Sequence, residues 1–329
     1  MRRRDLLAAF GVALTAPVGP ALAQAAGGKR RIGALFSQAE GDTEGAARLT
    51  AFRQGLRSLG WREPDNLAID ARWSGGNTER MQAQAASLVA RAPEVVLASA
   101  TTALAALRRA TSTVPIVFAQ VSDPVGAGFI QSLAHPGGNI TGLTQHEFAI
   151  CGKWLELLKQ AVPRLARVGV LQQPSNPASE GYLRAMAPAA QSLDLKLQPL
   201  AIEERADIVR AIPAFAQGGG GGLVLLPGSA GSTNRALVIA LCDYHMLPAI
   251  YAFRYHVLSG GLMSYGIDNL ELYRRAAWYV DRILKGARPG DLPVEHASKF
   301  QFVINLRAAA ALGLNIPLAM LTSADEVIE

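Results

Sequence analysis

Short apolar runs alternate with amphipathic stretches along most of the chain. Residues 31–36 (RIGALF) form an apolar run that ends in polar Ser37. Residues 46–59 then place Ala47, Leu49, Phe52, Leu56 and Leu59 at helical spacing, with Gly60 as the stop. Residues 67–73 alternate in the strand manner, 78–91 read as helix, and 95–98 as a short buried strand. A helix over 101–110, a strand over 116–120 behind Pro115 and a short strand over 140–144 complete a first series. A second series starts with a helix over 149–161. It continues with strands at 167–171, 196–202, 223–226 and 249–252, separated by helices at 179–193, 207–216 and 234–245. Two successive alternations of this kind predict an α/β protein with two doubly wound parallel-sheet lobes. Helices on both faces of each sheet explain why the strands are short, continuous and apolar.

The tail is too small for a third domain. Residues 269–285 form one amphipathic helix carrying Leu272, Ala276, Tyr279, Val280, Ile283 and Leu284, and a strand over 300–306 and a helix over 307–312 follow. These pieces must pack onto lobes already built, so the pattern predicts a multi-crossover hinge. The expected lobes are residues 29–146 with about 268–296, and 147–267 with about 297–329. The glycine run 218–222 reads as a loose surface loop.

The N-terminus adds a compartment. Residues 1–5 are basic, 6–16 are an apolar run too short to span a bilayer, and Ala21-Leu22-Ala23 is a small-x-small site before Gln24. This layout predicts a cleaved secretory signal over residues 1–23. Arg3-Arg4-Asp5-Leu6-Leu7 fits the twin-arginine pattern, with the Sec route as the alternative. No Cys follows the cleavage site, so a periplasmic protein without a lipid anchor is expected.

Composition then narrows the class. At 329 residues the chain has room for two domains with real cores. Its formal charge of +6 includes three Arg and one Asp in the leader, and the remaining charge forms no basic block, which argues against nucleic acid. Aromatic residues are only 6%, few for a base-stacking or sugar-stacking platform. Cys151 and Cys242 sit in helix-like apolar stretches and read as buried thiols, although an exported chain would permit a disulfide.

Ligands of open parallel sheets bind beyond the carboxyl ends of the strands. The polar residues expected there are Ser37, Ser99, Thr101, Thr102 and Ser122-Asp123-Pro124 in the first lobe. The second lobe supplies Pro174-Ser175-Asn176-Pro177, Pro227-Gly228-Ser229 and the segment from Ser264 through Tyr265 to Asp268. Ser and Thr at helix starts offer N–H groups and hydroxyls to an anion, and Asp123 or Asp268 is the carboxylate available for an ammonium group. Asn176 and Tyr265 would close from the other lobe, giving a site sized for a zwitterion. Taken singly, each is also an ordinary turn or cap residue. Catalytic signatures are missing: residues 227–231 lack the first Gly of G-x-S-x-G, the glycine run has no P-loop Lys, and the five His are scattered. No metal or cofactor is expected.

The ordered blocks RIGALF, VSDPVGAGFIQSLAHPGGNITGL, PSNPAS, LPAIY, GGLMSYGID, AAWYVDRILKGARPGDLPVE and FQFVINLRAAAALGL carry a resemblance. From about residue 29 to 329 the chain resembles the TrpX-like (ABC-sub-bind) substrate-binding proteins of ABC transporters. That resemblance implies the periplasmic binding protein type I fold, two lobes closing over a small solute, a monomer, and docking on an inner-membrane ABC permease. It points to Ser37, Thr101, Asp123, Asn176 and the Tyr265/Asp268 segment. The chain departs from the pattern at residues 227–233, which are Gly/Ser-rich where relatives carry a more substantial polar loop, and no indole-stacking aromatic stands out at the cleft. Two alternatives to a transport receptor stay open: a solute sensor of the same fold and an exported α/β enzyme.

Overall fold

The computed structural model describes residues 28–145, 148, 150–297 and 299–329. The signal assigned to residues 1–23 lies outside the described residues.

The first sheet collects β1 (Arg30–Phe36), β2 (Leu67–Trp73), β3 (Val95–Ser99), β4 (Ile116–Val121) and β5 (Ile140–Thr144), interleaved with α1 (Thr43–Ser58), α2 (Thr78–Ala90) and α3 (Thr101–Ala110). The chain then enters the second sheet through α4 (Ile150–Ala161), β6 (Arg167–Gln172), α5 (Ser179–Ser192), β7 (Lys196–Ala201), α6 (Arg205–Ala216) and β8 (Gly221–Leu225). It continues through α7 (Ser229–Thr233), α8 (Arg235–Tyr244), β9 (Ala249–Tyr251), α9 (Arg254–Leu258) and β10 (Met263–Ile267). Helix α10 (Asn269–Leu284) and strand β11 (Glu295–His296) return to the first unit. Finally β12 (Phe300–Asn305), α11 (Leu306–Ala311), α12 (Leu318–Ser323) and β13 (Glu326–Ile328) complete the second.

The sheet orders are β11-β5-β4-β3-β1-β2 and β13-β12-β10-β9-β8-β6-β7. The described pairings are parallel except β10 with β12, which is antiparallel. Central strands β3 and β4 are buried at every position, as strands covered on both faces must be. The edge strand β7 is largely exposed and carries Pro199, a residue a central strand would not tolerate.

The chain passes between the sheets three times: after β5, after β10, and between β11 and β12. Asp268 at the second crossing accepts from the N–H groups of Leu270 and Glu271 and so starts α10. The apolar face of α10 buries Leu272, Tyr273, Ala276 and Val280 and packs on α1. Gly55 of α1 makes that approach possible: a Cβ there would stand 2.5 Å from the Arg274 carbonyl oxygen.

Two details differ from the sequence reading. The glycine run is not wholly a loop, because Gly221 and Gly222 begin β8. A Cβ on Gly222 would stand 3.1 Å from Leu158, Leu165 and the Pro248 carbonyl, so the missing side chains serve core packing. Short α7, α9, α12 and β13 were not anticipated, since segments of three to six residues carry too little periodicity. Cys151 and Cys242 are both buried and free, and burial pushes each thiol up to about 12.

Candidate functional site

The carboxyl ends of the strands of both sheets converge on one cavity. The first sheet supplies Ser37 and Gln38 after β1, Ala100 to Thr102 after β3, Gln120 from β4 and Gln145 after β5. The second supplies Asn176 after β6, Pro227 to Ser229 after β8, Ser232 from α7 and Phe253 after β9. Helix α1 adds one charged residue, Arg48.

Arg48 is 1% exposed, which demands a reason. Its Nε donates to Glu44 Oε1 at 2.9 Å and its Nη1 to the Tyr273 hydroxyl at 3.4 Å. The guanidinium lies over the rings of Tyr255 and Tyr273, with centroids at 5.6 and 5.5 Å. Burial opposes its charge, but Tyr273 and the Glu44 carboxylate outweigh burial and hold its pKa above the ordinary arginine value. Its Nη2 has no hydrogen-bond partner among the described residues. The same holds for three other buried atoms of cavity residues: Gln38 Oε1, Thr102 Oγ1 and Gln145 Oε1. Buried polar atoms are nearly always paired, and leaving one unpaired costs about 1–3 kcal/mol. Four around one cavity mark a place where a polar solute completes the bonding. Among the described residues, none of those lining the cavity is Asp or Glu.

The backbone is strained at the same place. Ala100 has φ +78° and ψ 165°, a region that essentially only glycine visits, and Gln120 has φ +62°. Ala100 also offers no side-chain cap to α3, so the first N–H groups of that helix have no capping side chain. Strained residues persist where surrounding structure holds them, and these two hold the mouths of β3 and β4 around the cavity.

Five of the eight residues singled out in the sequence line the cavity: Ser37, Thr101, Thr102, Asn176 and Ser229. Several are bonded within the protein. Thr101 Oγ1 accepts from the Ser122 N–H, Ser229 Oγ donates to Gln173 Oε1 at 3.0 Å, and Asn176 Nδ2 donates to the Pro227 carbonyl at 2.9 Å. The other three stand outside the lining, each for a local reason. Asp123 turns back on its own loop, where Oδ1 accepts from the Gly126 N–H at 2.8 Å. Tyr265 stacks on Phe300, centroids 5.7 Å apart, and Asp268 is the N-cap of α10. The sequence reading missed Gln38, Arg48, Gln120, Gln145 and Phe253. The four residues after or at strand ends fell under the rule already applied to Ser and Thr. Arg48 carried a different signal, a lone charge on the stripe Gly45, Leu49, Phe52 and Leu56 that α1 buries.

The two units touch around the cavity. Tyr182 of α5 shares a 2.6 Å hydrogen bond with Ser122 Oγ and accepts from Gln145 Nε2 at 3.2 Å; Gln145 also donates to Ser122. On another side Arg235 of α8 donates to Asp42 Oδ2 at 2.6 Å, and both side chains are mostly buried.

Two mainly parallel α/β units joined by three connections, with a cavity walled by strand carboxyl ends, define the periplasmic binding protein type I fold. The chain belongs to the ABC transporter substrate binding protein family, whose pattern it matches over residues 38–328. Among curated proteins it is 26% identical over 264 residues to the tyrosine-binding protein of Clostridioides difficile (strain R20291), covering 80% of this chain and 75% of that one. Among solved structures it is similar to an ABC domain from Streptococcus pneumoniae in complex with L-Trp, with TM-score 0.84 and 27% identity over 91% of this chain and all of the other. A conserved domain protein from Vibrio cholerae O1 biovar El Tor superposes equally well, with TM-score 0.84 and 28% identity over 91% and 99% of the two chains. The family is one of substrate-binding proteins rather than enzymes, and the first two of these relatives are named for a bound or binding solute.

Proposed function

We propose that this protein is an exported, monomeric receptor that binds an amino-acid-like solute carrying a carboxylate and delivers it to an ABC importer in the inner membrane. The observation that carries this reading is the unpaired Nη2 of buried Arg48 at the cavity, close to the start of α3. A carboxylate completes the guanidinium's bonding and profits from the uncapped helix N-terminus. Gln38 Oε1 and Gln145 Oε1 are acceptors and suit an ammonium or amide N–H. Neutral acceptors replace the carboxylate that the sequence reading sought in Asp123. Relatives named for tyrosine and L-Trp support the same class.

In this reading the lobes are residues 29–146 with about 268–296 and 147–267 with about 297–329, the leader is removed near Ala23, and solute favours the state in which the lobes meet. Isothermal titration with the L-amino acids tests the binding half. At least one should bind in the micromolar range or tighter, and binding to sugars but to no amino acid would overturn it. Uptake of that amino acid by cells with and without the protein tests delivery, and equal uptake would remove the transport role.

A further inference from the structure

Two glutamines at the carboxyl ends of neighbouring strands line the cavity, Gln120 of β4 and Gln145 after β5. Each is held by a buried tyrosine hydroxyl, and the two are held in opposite senses. Gln145 donates through Nε2 to Ser122 Oγ and to the Tyr182 hydroxyl, so Oε1 is the end left unpaired. Gln120 is the reverse, because its Oε1 accepts from the Tyr273 hydroxyl at 3.2 Å. Its Nε2 makes no hydrogen bond among the described residues and is the end left for the cavity. The backbone prepares this arrangement. Gln120 is the extra residue where the register of β4 on β5 shifts between Ala119 and Val121, and its φ is +62°. A bulge of this kind re-aims one side chain.

Tyr273 projects from α10, is fully buried, and does not line the cavity. Its hydroxyl has one proton and two lone pairs. The proton goes to Gln120 Oε1, and the lone pairs take Arg48 Nη1 at 3.4 Å and the Ser99 hydroxyl. Burial raises its pKa, so the proton stays in place. No bonding capacity remains for solute. Arg48 and Gln120 bond the same oxygen, so they stand side by side at the cavity.

We infer that Tyr273 is a positioning residue: without touching solute, it turns Gln120 so that Nε2 joins the free Nη2 of Arg48 in a donor-only wall. This rests on the reading that Arg48 meets a carboxylate. A carboxylate takes only donors, whereas a carboxamide brings N–H groups that need acceptors. A glutamine free to turn serves either group, and one held by Tyr273 serves only the carboxylate. The preference for acid over amide is therefore set from α10, behind the cavity wall.

Calorimetric titration of the native protein and of Tyr273→Phe tests this, using the tightest-binding of the twenty L-amino acids and its carboxamide. Phenylalanine keeps the ring against Phe36 and under Arg48 and removes only the hydroxyl. The native protein should bind the acid at least about 30-fold more tightly than the amide. In Tyr273→Phe that ratio should shrink by about tenfold or more, as one hydrogen bond to a charged group is lost, with the acid weakened and the amide not. A merely structural role would weaken both alike and keep the ratio. Gln120→Met deletes the amide group itself, should shrink the ratio in the same way, and serves if Tyr273→Phe does not fold. A native ratio in either variant would overturn the role given to Tyr273 while leaving the carboxylate reading intact. A native protein that binds the amide as tightly as the acid, or binds no amino acid, would overturn that reading and this inference with it.

Discussion

Replacing Tyr182 by Phe removes one hydroxyl and nothing else at the junction of the two units. The ring keeps its edge contact with Phe148 at 5.0 Å and its neighbour Trp154 at 6.0 Å. Two hydrogen bonds across the units disappear, from Ser122 at 2.6 Å and Gln145 at 3.2 Å. At about 0.5–1.5 kcal/mol each, the loss is about 1–3 kcal/mol. These bonds exist only when the units meet, so the loss falls on the state that holds solute with both. Solute affinity should therefore drop by about 5- to 150-fold, mostly as faster release. Titration calorimetry gives the affinity and stopped-flow fluorescence the release rate, both with the tightest-binding amino acid. Affinity within twofold of the native value would show that this contact does not couple to binding, and the role given to the junction would fall.

Other consequences are independent of that one. Asp123→Ala should leave solute affinity within about twofold, because its carboxylate serves the turn at Gly126; loss of binding in calorimetry would place it back in the site. Buried His256 stacks with Tyr251 and Tyr255, and burial, helped by Arg235 and Arg48, lowers its pKa to about 3. Its folded value lies below the ordinary 6.5, so its contribution is full above about pH 6.5 and is lost as pH falls toward the folded value. His256→Phe should flatten the fall in Tm between about pH 6.5 and 4, and an unchanged profile would contradict this. The two buried thiols should resist an aromatic disulfide reagent in the native protein and react after unfolding in denaturant. Rapid labelling of the folded chain would contradict their burial.

The α/β class was legible because each central strand is apolar on both faces and each helix carries one apolar stripe, as in VVLAS over β3 and the face of α10. The polar ends of those strands pointed to Ser37, Thr101, Thr102, Asn176 and Ser229 by position alone. Position does not say where a side chain turns. Asp123 follows β4 directly, yet a local bond to Gly126 satisfies it more cheaply than a cavity would. Tyr265 lies in β10, where its ring stacks on Phe300 and takes no part in the cavity lining. Arg48 is the opposite case. It stands in mid-helix, far from any strand end, and only the packing of α10 and α9 against α1, which brings Tyr273 and Tyr255 around it, makes a buried cation at the cavity. That is a tertiary fact with no local counterpart.

The central claim is that buried Arg48 holds the carboxylate of a small solute between the two units. Native mass spectrometry of the purified protein, followed by denaturation and identification of what is released, addresses it in one measurement on the native chain and on Arg48→Met. The native chain should carry one carboxylate-bearing, amino-acid-like molecule, and Arg48→Met should carry none while remaining folded enough to bind dye only after heating. A released solute without a carboxylate, or the same solute retained by Arg48→Met, would contradict the account.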